Sequence, residues 1–313
     1  MRLKRKICDF YATLAVFVSG FLYCFVYIGD DVYGGTQPLS IVRDNVFLIG
    51  IFSTLSERRK METIARTMLG KDLPVSTKNH LCGLNQFLIS KKPNRCRIIY
   101  TFVVGGNNSS STTVNMNSRD VIISDETSFE FDLTVLNIQE NMNDGKTPSW
   151  FYYTSLIIDK DIDYVAKLDL DTFISIPYLL RTVMHDLPKR NDLIELSVYG
   201  GILMDFFACG GMKLKVQCGP IRKKYFMSGQ FYFISYDIVL NTALWKQDIT
   251  RRFEDLDFGL RVWNHKRSLN AITFNKQNFW IHYVKNLSEW NKIFLKVKRE
   301  NWNISIPYQD NIK

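Results

Sequence analysis

The 313-residue sequence has no C-x-x-C pair, no internal repeat and no low-complexity segment. Without C-x-x-C pairs nothing indicates a cysteine-based zinc site, and without repeats a solenoid or propeller is not expected. The net charge of +9 is modest, and four of the basic residues lie in an N-terminal tail. The dispersed remainder could favour an anionic nucleotide, but it does not predict a nucleic-acid partner.

Charge is also missing from Phe10 to Gly29, a run of 20 residues. As a helix this run would be about 30 Å long, which matches a bilayer core. Basic residues precede it, and Asp30 and Asp31 follow it. The pattern predicts a cytosolic tail at residues 1–9, a transmembrane signal anchor at 10–29 and a lumenal remainder. A cleaved signal peptide is the alternative, but its apolar core would be shorter and would end in small residues.

Sequons and cysteines agree with a lumenal location. Asn-x-Ser/Thr acceptors occur at Asn107, Asn108, Asn286 and Asn303. Four cysteines lie beyond the predicted span, where disulfides can persist. The simplest pairing joins Cys82 to Cys96 and Cys209 to Cys218, although four cysteines allow three connectivities and the sequence does not choose among them.

The chain after the predicted span is long enough for one large domain. Residues 30–45 contain Gly34, Gly35 and Pro38 and are interpreted as a stem, which leaves 46–313 for a domain with a substantial core. Residues 46–52 form an apolar run of strand length, and Thr54 to Glu57 fits a capping box. The helix predicted next has one apolar face, made by Met61, Ile64, Ala65, Met68 and Leu69.

Further strands and helices alternate along the rest of the domain. Strands are predicted at 98–104, which ends at two glycines, at 121–123 and at 164–168. Residues between about 133 and 158 are predicted to contain a helix that is broken or entered near Gly145 and Pro148. The alternation predicts an α/β sheet covered by helices on both faces. In such sheets ligands bind beyond the carboxyl ends of the strands, where Asp169 and Asp171 would lie.

The segment from Tyr164 to Ile174 delivers two carboxylates, Asp169 and Asp171, from a buried strand into a loop. Two carboxylates this close need a neutralising cation if they are buried. Carboxylate oxygens suit Mn²⁺ or Mg²⁺, which commonly bridge to a phosphate-bearing substrate. The pattern therefore predicts a metal and diphosphate site, with an Asp pair that only flanks a turn as the alternative.

Three later segments carry other candidate site residues. Ser228-Gly229 is interpreted as a turn before a strand, where glycine lets a ligand approach the backbone. Glu254 and Asp255 begin a predicted helix, and one of them could act as a general base or both could merely stabilise the helix start. His282 interrupts an apolar run and is either a structural histidine or a third metal ligand.

These segments, in this order, resemble glycosyltransferase family 31, the β1,3-galactosyl- and β1,3-N-acetylglucosaminyltransferases. The likeness covers about residues 46–290. The family has an acidic residue where Leu170 stands and Trp where Met68 stands. The segments that carry the likeness are Glu57-Arg58-Arg59 with Arg66, Leu136–Thr147 (similar to the protozoan branch), Lys167–Phe173, Met227-Ser228-Gly229 and Glu254-Asp255-Leu256.

The resemblance implies a GT-A fold, a Rossmann-like nucleotide-sugar-binding domain, in a type II Golgi membrane protein with an inverting mechanism. It implies UDP-galactose or UDP-GlcNAc as donor, Mn²⁺ or Mg²⁺ as cofactor and an acceptor glycan on a glycoprotein or glycolipid. Asp169, Asp171 and His282 would hold the metal, and Asp255 would be the base. The UDP-sugar would contact Arg58, Arg66, Asp169, Asp171, Gly229 and Glu254.

Two other hypotheses fit parts of the sequence. Asp169-Leu170-Asp171-Thr172 is similar to the D-x-D-x-T nucleophile loop of haloacid-dehalogenase-type phosphatases. Those loops usually lie near the start of the domain, whereas this one is in mid-chain, and the hypothesis leaves Glu254 and Asp255 without a role. A catalytically silent relative that binds a UDP-sugar or glycan is the other alternative.

Overall fold

The computed structural model describes residues 44–70, 72–89, 95–106, 131–140, 145–157, 161–190, 196–205, 225–245, 254–265, 269–273 and 280–300. All of them belong to the compact unit Arg43–Lys313, and a second unit covers Met1–Val42. In the described ranges no helix has the length and apolar character needed to cross a membrane. The predicted span 10–29, the predicted strand 121–123 and the pair Cys209 and Cys218 lie outside these ranges.

The centre of the molecule is an eight-stranded sheet, and a separate two-stranded sheet is formed by β6 and β10. The order across the large sheet is β2-β3-β1-β5-β8-β7-β9, and β4 also pairs with β3. The strands are β1 Phe47–Phe52, β2 Leu81–Gly83, β3 Ile98–Gly106, β4 Leu133–Gln139, β5 Tyr164–Asp169, β6 Phe173–Ile174, β7 Val198–Asp205, β8 Tyr225–Ser235, β9 Asn270–Thr273 and β10 Trp280–Ile281.

The large sheet is mostly parallel, with one antiparallel strand near its middle. Strand β1 pairs in parallel with β3 and β5, and β4 and β2 also run parallel to β3. Strand β8 runs antiparallel to β5 and to β7. The strand that ends in Asp169 therefore lies between the parallel half and β8, and its carboxyl end is at the same edge as that of β1. This is the α/β sheet that the alternating pattern predicts, and its parallel-dominated order is compatible with a Rossmann-like nucleotide-binding fold.

Helices cover both faces of the sheet and give it two apolar layers. Alternate side chains of β1 enter different layers: Phe47 and Ile49 contact one, and Leu48 and Phe52 the other. The helices are α1 Arg58–Thr67, α2 Val75–Lys78, α3 Leu84–Ile89, α4 Lys146–Ile157, α5 Ile176–Arg181, α6 Tyr236–Val239, α7 Glu254–His265 and α8 Leu287–Arg299. Shorter helical turns are Leu55–Glu57, Thr182–Asp186 and Thr242–Leu244.

Each of the two apolar layers contains a helix that packs closely against the sheet. Helix α1 buries Met61, Ile64 and Met68 against the first layer, as its apolar face predicts. In the second layer, Trp150 of α4 is fully buried and its indole nitrogen donates to the carbonyl of Ala166, 3.1 Å away. A side chain at Gly50 would overlap that indole ring, so glycine in β1 allows α4 to pack closely.

Two local predictions from the sequence are wrong, and one strand is not predicted. The Thr54 side chain makes no capping hydrogen bond, and its hydroxyl is 2.7 Å from that of Ser56 instead. The helix predicted to be entered near Gly145 is confirmed at Lys146–Ile157, but residues 133–139 before it form a parallel strand that the sequence pattern does not predict. Ser228 and Gly229 lie inside the long strand β8 and not in a turn. Strand β7 pairs with β8 on both sides of them, at 225–227 and at 232–234, with a register shift in between.

The first of the two predicted disulfides is confirmed. Cys82 on β2 is bonded to Cys96, which precedes β3. Strand β2 pairs with β3 over three residues, so the bond reinforces a short edge strand. A disulfide at this position agrees with folding in an oxidising compartment.

Candidate metal centre and carboxylate site

Asp169, Asp171 and His282 come together at the carboxyl edge of the sheet. One ligand atom from each residue lies within 4.8 Å of the corresponding atoms of the other two. The Nε2 atom of His282 is 3.2 Å from Oδ1 of Asp171. The structure thus unites two carboxylates one residue apart with a histidine more than one hundred residues later, as the sequence predicts.

The small sheet holds His282 against the Asp169–Asp171 loop. Trp280 pairs with Ile174 and Ile281 with Phe173, and the amide of Val284 donates to the Asp171 carbonyl at 3.0 Å. Between these two attachments the chain must turn sharply. Tyr283 makes this turn with φ of 67°, a left-handed conformation that is unusual for a bulky residue. The strained turn directs His282 toward the carboxylates and leaves Tyr283 exposed.

The donor set fits a divalent cation. Two carboxylate oxygens and one imidazole nitrogen are ligands that Mn²⁺ accepts, and Mg²⁺ accepts the oxygens. Burial lowers the pKa of His282, although Asp171 and Asp169 oppose this, so the ring is held in the neutral form that can donate electrons to a metal. Burial also raises the pKa of Asp169, against the effect of Lys167, and the nearby carboxylates of Asp255 and Asp171 add to the rise.

Lys167 lies behind this cluster and contacts two carboxylates. Its ammonium is 3.4 Å from Oδ1 of Asp169 and 3.0 Å from Oδ1 of Asp255. The side chain is only 7% exposed, and the rings of Phe52 and Tyr232 lie 5.3 and 5.5 Å from the ammonium. Burial alone would lower the pKa of Lys167, but the carboxylates of Asp169, Asp255 and Glu254 outweigh it and raise the pKa. This lysine is therefore a buried cation shared by two acids.

Asp255, in the first turn of α7, lies against the backbone of β8 at Gly229. A Cβ atom at position 229 would overlap the Asp255 carboxylate and come within 2.6 Å of its Cγ. The Asp255 carboxylate is thus held between Gly229 and the Lys167 ammonium. It is 31% exposed, so a substrate hydroxyl could still reach it. The group that approaches the Gly229 backbone in this structure is Asp255, and the contact of Gly229 with a ligand stays a prediction.

Glu254 points inward instead. It is 5% exposed, and one of its carboxylate oxygens accepts the amide of Thr147 at 2.8 Å. Burial raises the pKa of Glu254 to about 7, although Lys167 and the Thr147 amide oppose the shift. Its contact fixes the beginning of α7 to the beginning of α4. The structure therefore gives Glu254 a positioning contact with Thr147, and its contact with the UDP-sugar stays a prediction.

The two arginines of the predicted opening motif are not in the cluster. Arg58 pairs with Glu62 at 2.9 Å, and both side chains are about half exposed. Arg66 is exposed and lies in the last turn of α1, about 12 Å further along the helix axis than Arg58. Helix α1 begins near the carboxyl edge of the sheet, so its last turn is carried away from that edge. The predicted UDP-sugar contact of Arg66 is therefore not brought to the site by this fold.

Other lysines at the carboxyl edge escape the sequence prediction. Lys285 lies 3.8 Å from Oδ2 of Asp171, and Lys60 of α1 is buried close enough for Asp171 to raise its pKa, although burial lowers it overall. Fully buried Lys146 donates to the carbonyl of Ser53 and to Glu140 at 2.8 Å. The sequence indicates Lys167 only as the first residue of the segment Lys167–Phe173. No spacing in the sequence reveals Lys60 or Lys146, because tertiary packing alone brings them to this edge.

Comparisons with known proteins give only distant similarities. No protein-family model matches the sequence, and no curated protein matches it. Among solved structures, the chain is similar to HddC from Yersinia pseudotuberculosis, with 13% identity, a TM-score of 0.31 and coverage of 80% of this chain and 99% of that chain. It is also similar to the inositol-1-phosphate CTP transferase from T. maritima, with 10% identity, a TM-score of 0.35 and coverage of 84% and 98%. At these TM-scores the similarities carry no inference about the function of this chain.

Proposed function

We propose that the protein is an inverting, metal-dependent glycosyltransferase. It would move galactose or N-acetylglucosamine from a UDP-sugar to a hydroxyl of an acceptor glycan, with a β1,3 linkage as the resemblance to glycosyltransferase family 31 implies. The observation that carries the proposal is the meeting of Asp169, Asp171 and His282 at the edge where Asp255 lies on the shared Lys167 ammonium.

The metal half of the site suits a nucleoside diphosphate. Asp169, Asp171 and His282 would hold Mn²⁺ or Mg²⁺, and the cation would neutralise charge on a leaving diphosphate. Lys285 and Lys60 add positive charge beside Asp171. Two cationic side chains next to a metal site favour a ligand that carries several negative charges.

The other half suits removal of a proton from an acceptor hydroxyl. Asp255 is partly exposed, fixed by Lys167 and Gly229, and not engaged by the candidate metal ligands. Its carboxylate would accept the proton as the hydroxyl oxygen attacks the anomeric carbon. The carbon–oxygen bond to UDP breaks as the new glycosidic bond forms, which inverts the anomeric configuration. Lys167 stays between the two halves and keeps Asp255 and Asp169 at a fixed separation.

The cellular location is a proposal of its own. We infer a single-pass type II Golgi protein, anchored by residues 10–29 with residues 46–313 in the lumen, from the uncharged run and the basic residues before it. The disulfide between Cys82 and Cys96 supports a lumenal site of folding. Protease protection of the catalytic region in sealed Golgi vesicles tests this orientation. Digestion of that region without detergent would contradict it.

The activity is tested by UDP release with Mn²⁺ across a panel of UDP-sugars and simple sugar acceptors. We expect acceptor-stimulated release with one donor, lost in both Asp171→Ala and Asp255→Ala. Lys298→Met, at an exposed lysine that pairs with Asp72 on another surface, is the control and should keep full activity. If no donor is turned over although Mn²⁺·UDP binds, the catalytically silent relative is supported; if Mn²⁺·UDP does not bind, the metal assignment is wrong.

A further inference from the structure

Lys167 is the one side chain that touches both the candidate metal cluster and the candidate base among the residues the structure describes. It projects from β5 on the same side as Asp169, since side chains two residues apart in a strand share a face. Its ammonium contacts Asp169 at 3.4 Å and Asp255 at 3.0 Å. The rings of Phe52 and Tyr232 enclose it, so the ammonium has little room to move to other partners.

We propose that Lys167 is a positioning residue that couples metal binding at Asp169 to the placement of the Asp255 carboxylate. Without a metal, the ammonium divides its hydrogen bonds between the two acids. With a divalent cation held by Asp169, Asp171 and His282, the Asp169 carboxylate would be engaged as a ligand, and the Lys167 ammonium would pair with Asp255 alone. The step breaks and forms only hydrogen bonds and ion pairs, and no proton is transferred.

The charges around the ammonium support this division. Asp169 and Asp255 both lie within ion-pair distance of the ammonium, at 3.4 and 3.0 Å, so two carboxylates compete for one cation. The Lys167 ammonium lies 3.4 Å from Oδ1 of Asp169, so it would repel a cation bound to that carboxylate. Binding is favourable only if the ammonium gains a stronger ion pair with another acid. Asp255 provides that gain. Its Oδ1 atom contacts Lys167 and its Oδ2 atom lies against the backbone of Gly229, so the carboxylate is held beside the ammonium.

The coupling predicts that the metal binds before the acceptor. Asp255 would reach its fixed orientation only in the metal-loaded protein, so only then would the base be correctly placed for the acceptor hydroxyl. This second half rests on the proposed function, whereas the effect of Lys167 and Asp255 on metal binding does not.

The test is a double-mutant cycle on the affinity of the full-length protein for Mn²⁺ alone, measured by calorimetry at pH 8. Lys167→Met should bind Mn²⁺ roughly fivefold to tenfold more tightly, because one screened positive charge is removed next to a ligand. Asp255→Asn should bind it roughly threefold to tenfold more weakly, since Lys167 then pairs with Asp169 alone. With Lys167→Met already present, Asp255→Asn should change the affinity by less than about twofold.

Two further variants separate this mechanism from simpler explanations. Glu254→Gln removes a nearby negative charge without a contact to Lys167, and it should leave the affinity for Mn²⁺ unchanged. Lys167→Gln keeps a polar group at the position, and thermal unfolding of both Lys167 variants shows whether they fold. Weaker Mn²⁺ binding in folded Lys167→Met, or an equal effect of Asp255→Asn with and without Lys167, would overturn the proposal.

Turnover gives the readout for the second half. Folded Lys167→Met should combine tighter Mn²⁺ binding with a fall in kcat of roughly tenfold or more, as expected when a general base is misplaced. A merely structural lysine would weaken both properties together. If the coupling is seen but the unaltered protein transfers no sugar, the proposed function fails alone; if transfer is seen without coupling, the inference fails alone.

Discussion

The Asp255 carboxylate occupies the space that a side chain at Gly229 would fill. The two residues belong to α7 and β8, which pack together at the carboxyl edge of the sheet. Gly229→Ala should therefore displace the candidate base and lower kcat by roughly tenfold or more, because small misplacements of a catalytic group are costly. Steady-state kinetics with the preferred donor and acceptor provide the measurement.

A matched glycine controls for the general effect of an added methyl group. A Cβ at Gly106 would meet its nearest atom at an ordinary 3.5 Å, so Gly106→Ala should keep full activity. The double variant Gly229→Ala/Asp255→Ala removes the carboxylate that the added methyl group would overlap, and it should recover the thermal stability lost in Gly229→Ala. No recovery would mean that the overlap is not the cause of the loss.

Asp255→Asn should separate chemistry from binding. The amide keeps the shape of the carboxylate but cannot accept the proton, so kcat should fall by roughly a hundredfold or more. The KM for the donor should change by no more than a few fold, since Asp255 is not among the candidate metal ligands. Measurement of kcat and KM separately checks this. A large rise in KM with little change in kcat would assign Asp255 to donor binding.

His282→Ala should weaken the affinity for Mn²⁺ by roughly tenfold to a hundredfold, the usual effect of losing one of three protein ligands. Binding of Mn²⁺ alone, followed by calorimetry or by the electron spin resonance of the free ion, measures it. His80→Ala is the control, because His80 contacts the carbonyl of Arg95 well outside the cluster. Equal affinity in both variants would restrict the metal site to the two carboxylates.

Glu254 should make the protein less stable as the pH rises. Its pKa is raised from 4.5 to about 7 in the folded state, so the folded protein holds the proton more tightly than the unfolded chain. The stabilisation by this proton is complete below pH 4.5 and is lost as the pH passes through about 7. The full difference is about 3 kcal/mol in the free energy of unfolding.

Urea unfolding at a series of pH values, with and without Glu254→Gln, isolates this effect. The neutral amide can still accept the amide of Thr147, so the variant should lose the part of the pH dependence that Glu254 causes. Asp132, whose pKa burial raises to about 6, contributes in the same direction in both proteins and cancels from the comparison. Parallel curves for the two proteins would contradict the assignment of a charged, buried Glu254 above pH 7.

The elements that the sequence predicted well are those with strong apolar patterns. Strand β1 is buried at all six positions, and α1 has a clear apolar face, so the signal in both comes from burial itself. Strand β5, which ends at Asp169, is predicted by an equally clear apolar run. Strand β4, at 133–139, was missed because Asn137 and its neighbours interrupt the apolar pattern. Its strand conformation depends on pairing with β3, which is a tertiary contact.

In the candidate site too, some residues can be predicted from the sequence pattern and others depend on tertiary packing. Asp169, Asp171 and His282 could be predicted because their types and spacing match a metal-ligand set, and the structure brings them together. The roles of Gly229 and Glu254 could not be predicted. Both depend on how α7 packs, which decides that Asp255 faces Gly229 while Glu254 turns toward Thr147.

The last of the three candidate metal ligands, His282, follows in the sequence every strand of the large sheet that the structure describes, and the pairing of β10 with β6 holds its segment in place. Trp290 of α8 donates to the hydroxyl of Thr67 at 3.0 Å and so secures α8 to α1. During synthesis from the N-terminus, these strands are therefore complete before His282 is added. If Asp169, Asp171 and His282 hold a metal as proposed, the full ligand set would form only after β10 has paired with β6.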